Sequence, residues 1–126
     1  MSVNLDVSEL VALANDLERA AIGAQMAAAP VVAKAAFNVK RDWRANATAS
    51  SGSHAKRYPY SIGYDLEDGG LTAIVGPDKD RPQGPLGNLL EYGSAHNPPH
   101  NDGGRAMDAE APRFEENLLR VARKLL

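Results

Sequence analysis

Between Asp6 and Ala29 the apolar positions recur at helical spacing: Leu10, Leu13, Leu17, Ala20, Ala24 and Ala28 form one stripe. This predicts a helix over residues 6–29, with Asp6 or Ser8 able to cap its start. The run "AAIGAQMAAAP" is almost all small residues, so another helix or a neighbouring subunit can approach it closely. Pro30 lacks a backbone N–H and crowds the preceding turn, which predicts a kink or a break. The apolar pattern resumes with Val32, Ala35, Ala36, Val39 and Trp43 and ends near Asn46. One long kinked helix or two abutting ones would both fit.

Polarity changes at "NATASSGSHAKR" (46–57), whose small, Gly/Ser-bearing composition predicts a mobile loop. Two runs rich in β-formers follow, "YPYSIGYDL" (58–66) and "LTAIVG" (71–76), separated by "EDGG". Asp-Gly between such runs predicts a hairpin. A two-stranded hairpin is marginal alone and needs a helix or further strands to cover one face. A turn-rich connector, "GPDKDRPQGP" (76–85), leads into residues 86–92, which fit a short helix or a short strand. Residues 94–106 read as an extended arm. A C-terminal helix is predicted over 108–126, with Pro112 in its first turn and Phe114, Leu118, Val121 and Leu125 as its buried stripe.

The expected fold is therefore α+β. A long kinked N-terminal helix and a C-terminal helix pack on a small antiparallel sheet containing the 58–66/71–76 hairpin. Leu13, Leu17, Val39, Trp43, Ile62, Ile74, Leu118 and Val121 are expected in the core.

Composition narrows the class. The chain has 126 residues, enough for a single domain with one modest core. It is 44% hydrophobic and 24% charged, and no apolar run approaches the roughly 20 residues of a membrane span. The N-terminal stretch "MSVNLDVSEL" has neither the basic nor the apolar region of a signal peptide. Having no cysteine, the chain has no disulfide, thiolate metal site or Cys nucleophile. The sequon at Asn46 is read as chance.

The formal net charge is −2, but the charges segregate. Lys34, Lys40, Arg41, Arg44, Lys56 and Arg57 face a single acid, Asp42, between residues 34 and 57. Asp65, Glu67, Asp68, Asp78 and Asp80 face only Lys79 between residues 65 and 80. Solvated faces of opposite sign are one reading. The other is a subunit whose basic flank (Arg41, Arg44, Arg57) meets the acidic flank (Asp65, Glu67, Asp78) of the next copy.

Candidate chemistry is thin. His96 and His100 have the spacing of a helical metal pair, yet Pro98 and Pro99 forbid a helix between them, and no third ligand is evident. Ser94 and His96 are too close in sequence to form a triad without a scaffold. "SSGSHAKR" lacks the spacing of a phosphate-binding loop. Glu115 and Glu116 suit the first turn of a helix. No enzyme, cofactor or metal is expected. The basic segment 34–57 supports an alternative reading as a small nucleic-acid-binding or other interaction protein.

Taken in order, the long Ala-rich helix, "YSIGY" leading into "AIVGP", then "LLEYGS", a proline arm and a final helix resemble a known family. It is the small tail-component or neck proteins of long-tailed bacteriophages, those of the tenth-gene-product type. The likeness rests on Ser61-Ile62, Val75-Gly76 and above all Leu90-Glu91-Tyr92-Gly93-Ser94. The order of elements covers nearly the whole chain. Departures are the longer, more polar "HNPPHNDGGRAMDAEAPRF" and the altered approach "SSGSHAKRYPYSI". The resemblance implies a structural virion protein, assembled in the host cytoplasm, forming a ring of six- or twelve-fold symmetry at the head–tail junction or the top of the tail. Its implied partners are itself, head-side connector or head-closure proteins, and tail terminator or tail-tube proteins. Genomic DNA would pass through the lumen without sequence-specific binding, and no membrane is involved. The contact is then expected in the arm, at Glu91, Tyr92, Gly93, His96, Pro98, Pro99 and His100. A simple surface loop is the alternative for that segment.

Overall fold

The computed structural model describes residues 7–125. Helix α1 runs unbroken from Val7 to Ser50, through Pro30, and is 44 residues or roughly 66 Å long. The long-helix alternative therefore holds, and the expected loop (46–57) is shorter at its start because Asn46 to Ser50 are helical. Asp6, one candidate cap, lies outside the described residues. An 18-residue window of α1 reaches a mean hydropathy of 1.4, so by length and composition it could cross a membrane. This corrects the expectation that no such run exists: alanine supplies much of the apolarity, and no block of large side chains marks it.

After a short turn the chain forms α2 (Tyr58–Ser61), β1 (Ile62–Glu67) and β2 (Thr72–Pro77). The β-formers at 58–61 do not begin the strand. Pro59 pre-sets a helical φ near the start of the turn, and Ser61 Oγ donates to Tyr58 O at 2.7 Å. The two strands pair antiparallel, with Ile62 opposite Pro77 and Tyr64 opposite Val75. Asp68, Gly69 and Gly70 close the hairpin with φ of 53°, 65° and 88°. A left-handed turn of this kind selects the Asp-Gly pair.

Helix α3 (Gly87–Tyr92) and helix α4 (Asp102–Leu125) complete the chain. α4 lies antiparallel on the C-terminal half of α1: Asn38 reaches Glu110, and Ser50 reaches Asp102. The core is Ala47, Ala55, Tyr58 and Ile62, with Trp43, Val75, Leu86 and Leu90 packed against it.

Several expected core residues lie outside this core. Ile74 is exposed because strand side chains alternate, and Val75 takes the inward position. Leu118 and Leu125 are exposed as well. α4 instead turns Gly103, Ala106, Glu110, Phe114, Asn117 and Val121 inward, the first three buried and the rest half-buried. α4 also begins six residues earlier than expected, at Asp102, so Pro112 sits inside it and not in its first turn. Leu13 and Leu17 are exposed, since no described element covers α1 there.

Candidate functional site

The segment between α3 and α4 is a closed loop, not a free arm. His100 N donates to Leu90 O (2.8 Å) and Asn101 N to Glu91 O (3.1 Å), which clamps both ends together. The extended stretch stops at residue 101, because 102–106 are the opening of α4. Within the loop, Ser94 N donates to Asn97 O at 2.9 Å. Gly93 has φ +81°, and a Cβ there would meet the Pro99 nitrogen at 2.7 Å, so only glycine fits.

Glu91 has a role the sequence did not suggest. The sequence places it in the expected contact at the arm. Instead, its carboxylate accepts Gly103 N on Oε1 (3.0 Å) and Gly104 N on Oε2 (3.1 Å). It thereby caps the positive end of α4, satisfying amides that have no partner inside the helix. Gly103 and Gly104 are thus the first turn of a helix, not a flexible bend. A Cβ on Gly103 would lie 2.6 Å from the Trp43 ring and 2.7 Å from Glu91 Oε2.

Asp102, 1% exposed, anchors the same corner. Its carboxylate accepts Ser50 Oγ at 2.7 Å and pairs with Arg105 Nη2 at 2.7 Å, and His100 Nδ1 lies 3.7 Å away. Asn46 Nδ2 donates to its carbonyl at 3.0 Å. Beside this cluster, burial pushes the Tyr58 hydroxyl above its ordinary 10.0. The Trp43 indole N–H approaches it without well-formed hydrogen-bond geometry and offsets part of the rise, while the Glu91 and Asp102 carboxylates add to it.

What the loop leaves free is its tip. Tyr92, 77% exposed, stands with His96, Pro98 and Pro99 around a shallow concavity of about 400 Å³. His96 N donates to Ser94 Oγ at 3.4 Å, a local turn and not a nucleophile–base pair. Among the described residues no group of three or more His, Asp or Glu side chains is placed to hold a metal ion.

Part of the two charged segments is engaged within the fold. Arg41 Nε pairs with Asp42 (3.1 Å), and Arg44 Nε donates to Ile62 O (2.8 Å). Lys40 Nζ stands 4.9 Å from the Phe37 ring centroid and 5.5 Å from that of Tyr64. Asp65 and Glu67 are exposed, whereas Asp78 lies 3.7 Å from Arg81. Gln83 Oε1 accepts Arg57 N (2.6 Å) and Tyr58 N (3.0 Å), which ties the connector after β2 to the start of α2.

Along the N-terminal part of α1 a long apolar stripe stands exposed. Every residue from Val7 to Met26 except Gly23 is exposed, with Leu10 at 60% and Leu17 at 62%. Further along α1, an apolar groove of about 370 Å³ opens between α1, β2 and α4. Val32, Ala35, Val39, Val75, Met107 and Phe114 are among its walls. The sequence shows the stripe as periodicity, but not that the fold leaves it bare. No protein-family model, curated protein or solved structure matches this chain.

Proposed function

We propose that the chain is a structural subunit that works by association, building a ring at the head–tail junction or the top of the tail of a long-tailed bacteriophage. The observation that carries the reading is the bare face of α1, where Val7, Leu10, Val11, Leu13, Leu17, Ile22 and Met26 are all exposed. An apolar surface of this extent marks a contact site in a soluble protein. The virion setting rests on the resemblance in element order and in Leu90-Glu91-Tyr92-Gly93-Ser94.

In such a ring the contact is heterologous: one patch of each copy meets a different patch of the next, and the rotation closes. Head-side connector and tail proteins bind above and below, DNA passes through the lumen, and the virion holds the protein. The nucleic-acid reading stands second, because Arg41, Arg44 and Lys40 are already engaged by Asp42, Ile62 and the Phe37 and Tyr64 rings.

Deleting the gene from its phage tests this directly. The expected lysate contains DNA-filled heads and separate tails, with infectivity restored from a plasmid copy and the protein detected in purified virions. Infectious particles formed without it would sink the reading.

A further inference from the structure

Among the described residues β1 and β2 pair only with each other, so each strand has an outer edge. Asp78 N donates to Ser61 O at 2.8 Å, which sets the phase of the ladder: Gly63/Gly76, Asp65/Ile74 and Glu67/Thr72 are its bonded pairs. The N–H and C=O groups of Tyr64 and Leu66 therefore point outward on one side, and those of Ala73 and Val75 on the other. The β1 edge is blunted by charged side chains. Arg44 Nε donates to Ile62 O at 2.8 Å, and Lys40 Nζ stands 5.5 Å from the Tyr64 ring centroid. The β2 edge has no such guard. No described residue hydrogen-bonds the outward groups of Ala73 or Val75. Pro77, the next outward position, has no N–H and ends this edge.

This edge opens on the apolar groove, whose far wall is α4 and whose floor is Val32, Ala36 and Val39 of α1. Glu110 lines it too, but its carboxylate is engaged by Asn38 Nδ2 (3.2 Å) and Arg113 Nε (3.2 Å). Floor and edge together select the ligand. A helix could cover the floor, yet its backbone is bonded internally and would leave the donors and acceptors of the edge unpaired. An extended segment pairs with Ala73 and Val75 and turns every second side chain toward α1. The described strands are already paired with each other, and residues 94–101 contain no Val, Leu, Ile, Met or Phe to seat there. We infer that the β2 edge takes an extended strand from a partner protein, with alternate apolar side chains over Val32, Ala36 and Val39. The inference goes beyond the ring reading, since it concerns a different surface and does not depend on the bare half of α1.

A capped heptapeptide of alternating threonine and valine serves as the probe, read by amide hydrogen exchange of the full chain. Ala73 and Val75 amides should exchange freely in the protein alone and gain at least about tenfold protection at millimolar peptide. Two control peptides carry backbone N-methyl groups, one on its valines and the other on its threonines. Along an added strand only every second N–H faces β2, so only one of the two should lose binding. Ala73→Pro removes an outward donor and leaves the bonded pairs intact, and it should weaken binding about tenfold. Should that variant fail to fold, the methylated peptides still decide. Equal binding of both would show that the apolar floor alone holds the peptide, which overturns strand addition, as does the lack of any protection. Ala73 and Val75 already protected in the dilute protein would show an edge covered from within the chain. Protection that grows with protein concentration would put a second copy there. Either result overturns a partner's strand.

Discussion

At the scale of single residues, the corner where Glu91, Asp102, Trp43 and Tyr58 meet decides how α3, the loop and α4 are held. Glu91→Ala removes an acceptor from two amides at a helix N-terminus, a loss comparable to that of an N-cap, about 1–2 kcal/mol. Urea denaturation should show this as a lower midpoint with unchanged slope. An unchanged midpoint would mean that water replaces the carboxylate without cost. Tyr58 titrates differently in the two states. Its folded pKa is raised, so the folded form favours the neutral hydroxyl. That stability is complete below the unfolded pKa near 10 and is lost as pH rises through the folded value. Stability should therefore fall above about pH 10, and Tyr58→Phe should flatten that fall; equal alkaline slopes in the two proteins would refute it. None of this could be read from the sequence. Glu91 and its amide partners are 12 and 13 residues apart with a loop between, and Asp102 sits in a Gly-rich tract that looks like a linker.

At the scale of elements, legibility follows how local the cause is. The hairpin was readable because Asp-Gly determines the turn, and α1 because its apolar period survives Pro30. The order of helices and strands, and the short helical alternative for 86–92, also follow from local patterning. Two starts were misplaced for the same reason. At Tyr58–Ser61, β-forming side chains lose to a turn closed by Pro59 and Ser61. At Asp102, two glycines suggest a bend, yet they are selected because Trp43 and Glu91 press on the backbone there. A residue type chosen for close approach cannot be told in sequence from one chosen for flexibility. Burial was legible only where two elements meet. Val39 and Ile62 are covered as expected, but Leu13, Leu17 and Leu118 carry the same apolar signal without a covering layer in the isolated chain. A hydrophobic period reports that a face seeks cover and says nothing about which molecule supplies it.

At the scale of the whole molecule, the bare half of α1 and the tip of the loop can each make contacts without disturbing the fold. The first suits neighbours within a ring; the second, on the far side of the α4 corner, suits a different partner. The tip is separable because the clamps at Leu90–His100 and Glu91–Asn101 hold the loop closed from below. Residues 94–99 are all exposed. Deleting 96–103 would remove buried Asp102 and the capped turn, so it would test folding and not contact. Replacing Ser94–Pro99 with six Gly/Ser residues avoids this and keeps the span between Gly93 and His100. The isolated variant should unfold within about 0.5 kcal/mol of the parent, apart from the loss of the two prolines' stiffness. In the phage it should still form rings yet fail at head–tail joining or tail completion, because Tyr92 and the ordered Pro98-Pro99 edge no longer present a fixed surface. Counting infectious particles and imaging the lysate would read both outcomes. A variant phage that assembles and infects normally would reduce 94–99 to a connector.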